Sequence, residues 1–255
     1  MRIVITGAAG TIGRQLVEEL SPLHELRLID RSRVPGRKAV VADLSRKSWW
    51  RVGRMSWQSS FEGAGVVIHL AADVRNYASW ECVLRDNIQV TWNVIEAAAR
   101  YRVPRVVFAS SNWVVKALEQ RLAPACYQPD GPKIGSAVPP QPMRPYGISK
   151  ALGEAAGQAF VDQGQLRSFV VVRIGWYAPE PDTSDERLRA LWLGVEDTRS
   201  LFRRCVEANI KGFHVVYGVS AQKTAPYDLS HTQQLLSWFP RQIPDDQPIC
   251  RTEPT

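Results

Sequence analysis

The sequence predicts an α/β protein built on a doubly wound parallel sheet, followed by a small C-terminal lobe. Three observations support this class: apolar, β-branched runs, helix-length segments between them, and three glycines at the first strand-to-helix turn. Continuous apolar runs are typical of strands buried on both faces, and regular alternation of strands with helices is typical of parallel sheets.

The order of the elements follows from these runs. The segments predicted to be strands are 2–6, 26–30, 38–43, 66–71, 105–110, 168–174 and 214–220. The segments predicted to be helices are 11–20, 79–101, 146–163 and 196–209. Residues 122–145 are rich in proline, which excludes a helix or a central strand, so we predict a long loop that is either functional or disordered. We assign residues 1–175 to the main domain and residues 176–255 to the smaller lobe, with strand 214–220 returning to the sheet.

The composition narrows the possible partners. The 255 residues carry a net charge of +7, which could suit nucleic acid, but the basic residues form no tract, so an anionic small-molecule substrate or cofactor explains the charge at least as well. The charge alone does not decide between the two, and we expect no nucleic-acid partner. No apolar run is long enough to span a membrane and no signal peptide is visible, so we expect a cytoplasmic protein without membrane contact. The cysteines are dispersed without metal-ligand spacing, so we expect no metal site and free thiols at Cys82, Cys126, Cys205 and Cys250.

The glycines in "ITGAAGTIG" predict a dinucleotide site. Gly7 allows a sharp turn after the first strand, Gly10 allows the backbone to approach a pyrophosphate, and Gly13 allows the helix to pack closely on the sheet. Asp30 follows at the end of the second strand, where its carboxylate can accept hydrogen bonds from an adenosine ribose. That carboxylate would repel a 2′-phosphate, which favours NAD over NADP, whereas the neighbouring Arg31 weakens this preference.

The same glycine spacing, together with five further motifs, resembles the extended short-chain dehydrogenase/reductases, which form the NAD-dependent epimerase/dehydratase family. The motifs are "ADL" (42–44), "HLAA" (69–72), "DNIQVTWNVIEAA" (86–98), "FASSN" (108–112) and "YGISK" (146–150). The resemblance implies a Rossmann fold, NAD as cofactor, and an assembly of identical chains through helices 79–101 and 146–163. The cofactor contacts that it implies are Gly7, Gly10, Thr11, Ile12, Gly13, Asp30, Arg31, Asp43, Leu44, Leu70, Ala71, Ala72, Asn87, Lys150 and Ile174.

Three residues are predicted to carry the chemistry. Tyr146 and Lys150 are four apart, so a helix places both on one face, and the ammonium group should lower the pKa of the phenol toward neutrality. Ser111, at the end of the fifth strand, can hydrogen-bond a substrate hydroxyl. The predicted reaction is oxidation of a sugar C1 hydroxyl to a lactone: Tyr146 takes the proton and the nicotinamide takes the hydride.

The predicted substrate is a small anionic sugar. Several segments, among them "RIGWYAPEP" (173–181) and "RLRALWL" (187–193), are similar to the uronate dehydrogenases. That similarity implies that Arg187 binds the substrate carboxylate. The further candidates for substrate contact are Arg75, Ser111, Asn112, Trp113 and Trp176. The chain departs from the uronate dehydrogenase pattern at Trp113, Lys116 and Trp176.

Three alternatives stay open from the sequence. A sister group in the same lineage oxidises glucose 6-phosphate with NAD, and the loop 122–145 favours that reading. Nucleotide-sugar epimerases and dehydratases resemble the first half of the chain, although they usually have a longer C-terminal lobe than the one that follows Gly175. Redox sensors of the family bind dinucleotide without turnover, but they typically lack the tyrosine or the lysine that this chain retains.

Overall fold

A single seven-stranded parallel sheet organises the molecule. The computed structural model describes residues 1–46, 57–182 and 184–244. Within them the strands follow the order β3-β2-β1-β4-β5-β6-β9. These strands are β1 (Arg2–Thr6), β2 (Glu25–Asp30), β3 (Ala39–Val41), β4 (Val66–His69), β5 (Arg105–Ser111), β6 (Ser168–Ile174) and β9 (Gly212–Gly218). Two short strands, β7 (Trp176–Tyr177) and β8 (Trp192–Leu193), pair separately. The predicted fold class is confirmed, and each predicted strand is present: β1 and β6 have the predicted bounds, and the other bounds differ by at most two residues.

The helices lie between these strands. They are α1 (Thr11–Leu20), α2 (Trp80–Val83), α3 (Val90–Arg100), α4 (Lys116–Leu122), α5 (Arg144–Asp162), α6 (Glu186–Leu191), α7 (Val195–Glu207) and α8 (Ser230–Leu236). A π-helical turn at Leu84–Gln89 joins α2 to α3, so the predicted helix 79–101 is one continuous helical segment. The sequence did not predict the short helices α4, α6 and α8. Among the described residues we find no helix with the length and apolar character needed to cross a bilayer.

The sheet is buried on both faces, as the apolar runs predicted. Ile3 and Ile5 of β1 pack with Leu16 of α1 and Phe202 of α7 on one face. Val4 points to the opposite face, where the core includes residues of α3 and α5. Side chains alternate between the faces of a strand, so helices on both sides are required to cover β1.

The C-terminal segment returns to the main sheet. Strand β9 pairs in parallel with β6 and forms an edge of the main sheet. Helix α7 packs beside α1, and Arg199 and Arg203 form ion pairs with Glu18 and Glu19. The boundary at residue 175 stays a prediction. Cys82, Cys126 and Cys205 are free thiols, and Cys250 lies outside the described residues.

The proline-rich segment is tied to its surroundings at several points. It contains a 3-10 turn at Ala125–Tyr127, and Ile134 forms a parallel bridge with Tyr227. The Nζ atom of Lys133 donates hydrogen bonds to the carbonyl oxygens of Cys126 and Gln128. The bonds of Lys133 lie within the loop, whereas the bridge at Ile134 holds the loop against the C-terminal part of the molecule without a long helix or a central strand.

Candidate active site

A cavity of about 830 Å³ opens at the carboxyl ends of the central strands. It spans the point between β1 and β4 where the strand order reverses, which is where open α/β sheets bind ligands. Most residues that the sequence predicted for the site line this one cavity. They are Gly7, Gly10, Thr11, Ile12, Gly13, Asp30, Arg31, Leu44, Leu70, Ala71, Ala72, Ser111, Asn112, Trp113, Tyr146, Lys150, Ile174, Trp176 and Arg187.

The turn from β1 into α1 can be formed only by glycine at two positions. Gly7 has a φ of +74°, and a Cβ there would lie 2.7 Å from the backbone nitrogen of Ala71. A Cβ on Gly13 would lie 2.2 Å from the carbonyl oxygen of Gly7. The N-cap residue, Gly10, supplies no side-chain hydrogen bond to the helix. The first backbone N–H groups of α1 therefore face the cavity without a capping side chain, as an anion site requires.

The second strand places a carboxylate beside this turn. Oδ2 of Asp30 accepts a hydrogen bond from the backbone nitrogen of Ala9 at 2.9 Å, and Oδ1 accepts one from Ser32 at 2.8 Å. These bonds fix the carboxylate at the cavity wall, where it can accept hydrogen bonds from a ribose diol. The glycine turn and Asp30 together fit a dinucleotide.

Three predicted residues do not line the cavity. Asp43 caps its own turn by accepting hydrogen bonds from Ser45. Arg75 is turned toward Asp73 and forms a bidentate ion pair with it, from Nε to Oδ1 and from Nη2 to Oδ2. Asn87 lies behind the wall. Its Oδ1 accepts from the Asp73 backbone, and its Nδ2 donates to the Asp73 carbonyl and to Ser149. Asn87 therefore joins the loop after β4 to helix α5.

The predicted chemical groups lie together in the cavity wall. Lys150 donates a hydrogen bond from Nζ to the carbonyl oxygen of Ala109 at 2.7 Å. The same Nζ lies 5.8 Å from the centroid of the Tyr146 ring. Ser111 lines the same cavity, where it acts to lower the pKa of the Tyr146 phenol. Helix α5 thus brings the phenol and the ammonium group to the end of β5, as the four-residue spacing predicted.

The pKa values differ from the sequence expectation. Burial raises the pKa of Tyr146 to about 12, although Ser111 opposes this rise. Burial also lowers the pKa of Lys150 to about 8, and the charge of Glu154 acts in the opposite direction. The predicted lowering of the Tyr146 pKa is thus not met in the structure, because desolvation of the phenolate by burial outweighs the opposing effect of Ser111.

Arg187 is fixed by a buried carboxylate that the sequence analysis missed. Glu119 is fully buried, and its Oε1 lies 2.6 Å from Nε of Arg187. Nη2 of Arg187 contacts Oε2 of Glu119 at 3.4 Å and Oδ1 of Asn112 at 3.2 Å. One edge of the guanidinium is therefore taken by Glu119. Among the described residues, Nη1 has no hydrogen-bond partner.

Glu119 also binds a residue of its own helix and residues from two other segments. Lys116 lies one helical turn before it and forms an ion pair at 2.8 Å, and the hydroxyl groups of Tyr127 and Tyr227 donate hydrogen bonds. Burial alone would raise the pKa of Glu119, but Arg187 and Lys116 hold it below its usual range. The opposite charges of Lys116 and Glu119, three residues apart, are the signal in the sequence that could have indicated this cluster.

The fold and the site together define a dinucleotide-binding protein of the doubly wound α/β class. The family model of the NAD dependent epimerase/dehydratase family matches residues 3–196. The chain belongs to this family, and the predicted cofactor, NAD, is confirmed at the level of the family.

Relatives in the family include several sugar dehydrogenases. The chain is 31% identical to the L-arabinose 1-dehydrogenase (NAD(P)(+)) of Haloferax volcanii, over 94% of this chain and 96% of the relative. It is 32% identical to the NAD-dependent glucose-6-phosphate dehydrogenase of the same organism, over 94% of this chain and 92% of the relative. It is also 32% identical to the uronate dehydrogenase of Agrobacterium fabrum, over 94% and 84%.

A solved structure agrees with these relatives. A tyrosine-to-alanine variant of uronate dehydrogenase from Agrobacterium tumefaciens, complexed with NAD, superimposes with a TM-score of 0.76 at 30% identity. The match covers 95% of this chain and 85% of that chain.

The buried ammonium group of Lys150 predicts a pH-dependent difference in stability. We expect Lys150→Met to raise the free energy of unfolding at pH 7 by about 1–2 kcal/mol, because the desolvated charge outweighs the lost bond to Ala109. At pH values between the folded pKa of Lys150, about 8, and its usual pKa of 10.5, the unfolded wild type binds more protons than the folded wild type. The free energy of unfolding of the wild type therefore rises with pH across this interval, and the advantage of Lys150→Met over the wild type should shrink.

Urea denaturation at a series of pH values measures this difference. Lys38→Met, at an exposed lysine, serves as the control and should show no such trend. A Lys150→Met difference that stays constant from pH 7 to 10.5 would contradict the burial of a charged group.

Proposed function

We propose that the chain is an NAD-dependent oxidoreductase that oxidises the C1 hydroxyl of a hexuronate to the lactone. The observation that carries this proposal is the shared cavity of Ser111, Tyr146 and Lys150 with the glycine turn and Asp30. A dinucleotide held at the turn would extend toward Tyr146, so that a sugar could meet a hydride acceptor and a proton acceptor together. The uronate dehydrogenase relatives support the choice of substrate.

Each of the three groups has a separate role in this proposal. Bound NAD supplies the nicotinamide that accepts a hydride. Tyr146 removes the proton of the C1 hydroxyl, and Ser111 hydrogen-bonds the same oxygen. Lys150, held by the carbonyl of Ala109, favours the phenolate by its charge and can reach the nicotinamide ribose.

Arg187 would bind the anionic end of the sugar. Its Nη1 is not used by Glu119 or Asn112, and its side chain lines the cavity. The contact would be a single charge-assisted hydrogen bond from Nη1, because Glu119 occupies the Nε–Nη2 edge and Asn112 accepts from Nη2 on the other edge. Trp113 and Trp176, also in the wall, would pack against the sugar ring.

A second candidate is oxidation of glucose 6-phosphate. The relative with that name is matched over 92% of its length, compared with 84% for the uronate dehydrogenase. A phosphate would use the same Nη1 donor, so the two readings differ in the substrate and not in the residues proposed to act on it.

Tyr146→Phe tests the proposed chemistry. The wild type should form NADH from NAD and glucuronate, and the variant should lose at least about 100-fold in kcat, because it has no proton acceptor. Absorbance of NADH measures turnover, and calorimetric titration should show that NAD still binds to the variant.

The controls separate the open alternatives. Tyr101→Phe, at the end of α3, should keep wild-type turnover. Glucose 6-phosphate, L-arabinose and UDP-glucose are assayed in parallel. Activity only with glucose 6-phosphate would favour the second candidate, and a requirement for UDP-glucose would reject both. Turnover by Tyr146→Phe near that of wild type would remove Tyr146 from its role.

Arg187→Ala tests recognition of the anion. We expect KM for glucuronate to rise about 10-fold or more, as for the loss of a charge-assisted hydrogen bond, with little change for a neutral sugar such as L-arabinose. Arg189→Ala, in the same helix but outside the cavity wall, should leave both KM values unchanged. Equal effects of Arg187→Ala on the two sugars would contradict an anion contact.

We also propose that the chain forms a homo-oligomer. Helices α2, α3 and α5 and the π-turn expose large apolar side chains, including Trp92 at 47% and Leu152 at 46%. A second copy of the same face would bury them. Light scattering should therefore give a multiple of 28.6 kDa, and the mass of a single chain would reject the proposal.

A cytoplasmic location stays a prediction, which cell fractionation can test.

A further inference from the structure

An ion pair lies in the wall of the cavity on the side of Asp30. Nη2 of Arg31, the residue after Asp30, lies 3.2 Å from Oδ1 of Asp86. Asp86 belongs to the π-helical turn between α2 and α3, so the pair joins two separate elements. Both residues line the cavity.

The two partners differ in how firmly they are held. The side chain of Asp86 is 7% exposed, and Arg85 binds both of its oxygens, with Nε at 2.9 Å and Nη2 at 2.8 Å. The side chain of Arg31 is 61% exposed. The carboxylate is therefore buried and held by a second arginine, whereas the guanidinium of Arg31 lies largely in solvent and has Asp86 as its ion-pair partner.

The position of Arg31 matters because NADP differs from NAD by a phosphate on the adenosine ribose. Sites for NAD use a carboxylate at the end of the second strand, and sites for NADP use a nearby arginine to bind the phosphate. This chain has both groups, in Asp30 and Arg31. The glycine turn cannot distinguish the two cofactors, because it faces the pyrophosphate that both contain.

We propose that Asp86 is a specificity-determining residue that holds Arg31 away from the adenosine 2′ position and so disfavours NADP. A 2′-phosphate entering the site meets the carboxylate of Asp30, and the guanidinium that could compensate is engaged by Asp86. The relatives show that cofactor choice varies at similar identity, since one is named for NAD(P)(+) and another for NAD. The inference does not depend on which sugar the protein oxidises.

Asp86→Asn tests the proposal by binding alone. Asparagine keeps the shape of the side chain and a carbonyl oxygen for Arg85, but it removes the charge that attracts Arg31. Calorimetric titration measures the affinity for ADP-ribose and for 2′-phospho-ADP-ribose. Compared with the wild type, the variant should bind the phosphorylated ligand roughly tenfold more tightly, and its affinity for ADP-ribose should change by less than about twofold. In the double variant Asp86→Asn/Arg31→Met the gain should disappear.

Two controls make the result decisive. Glu25 lies at the start of β2, at the opposite end of the strand from Asp30, and its carboxylate pairs with Arg2. Glu25→Gln removes this carboxylate and should not change the preference between the two ligands. Arg31→Met alone leaves Asp86 paired with Arg85 and should alter binding of the phosphorylated ligand by less than about twofold. This second variant tests the idea even if Asp86→Asn fails to fold.

Three outcomes would overturn the proposal. Asp86→Asn could strengthen the binding of both ligands equally, which would indicate a general charge effect. The gain could persist without Arg31, which would indicate direct repulsion by Asp86. Arg31→Met alone could weaken binding of the phosphorylated ligand about tenfold, which would show that Arg31 already reaches the 2′ position in the wild type.

Discussion

The close contact between the end of β1 and the start of α1 is the constraint on which the rest of the site depends. Gly13 leaves no space for a side-chain carbon against Gly7, so the first turn of α1 lies directly against the turn after β1, and Gly7 in turn lies against the backbone of Ala71 after β4. Asp30 binds the same turn through the backbone nitrogen of Ala9. One short segment thereby fixes the direction of the helix N–H groups and the position of the neighbouring carboxylate, and both face the cavity.

Buried ion pairs orient the other walls of the cavity. Glu154 binds Arg173 at 2.8 Å and also accepts a hydrogen bond from Ser110 at 2.6 Å, so it holds the end of β5. Glu119 holds Arg187 in the same manner. A buried pair gains little net stability because both charges lose water, but the loss of one partner leaves an unpaired charge inside the protein. These pairs therefore fix side-chain directions more than they add to the stability of the core.

Desolvation acts on Tyr146 and Lys150 in opposite directions. Burial disfavours the charged form of each group, so it raises the pKa of the phenol to about 12 and lowers that of the ammonium group to about 8. The pKa of Lys150 therefore moves toward neutrality, whereas the pKa of Tyr146 moves away from it. The balance between phenol and phenolate therefore depends on every charge in the cavity, and not on the Tyr146–Lys150 spacing alone.

The sequence by itself determined the sheet, the glycine turn and the spacing of the chemical groups. These features depend on local rules: apolar runs form buried strands, glycine permits a positive φ, and residues four apart share a helix face. Helices α4, α6 and α8 escaped prediction because they are short and are stabilised by packing. Glu119 and Asp86 gained their roles only in the tertiary structure, which brings Arg187 to the first and Arg31 to the second. Folding also decided the pKa values, because the extent of burial is a property of the packed protein and not of the spacing of its residues.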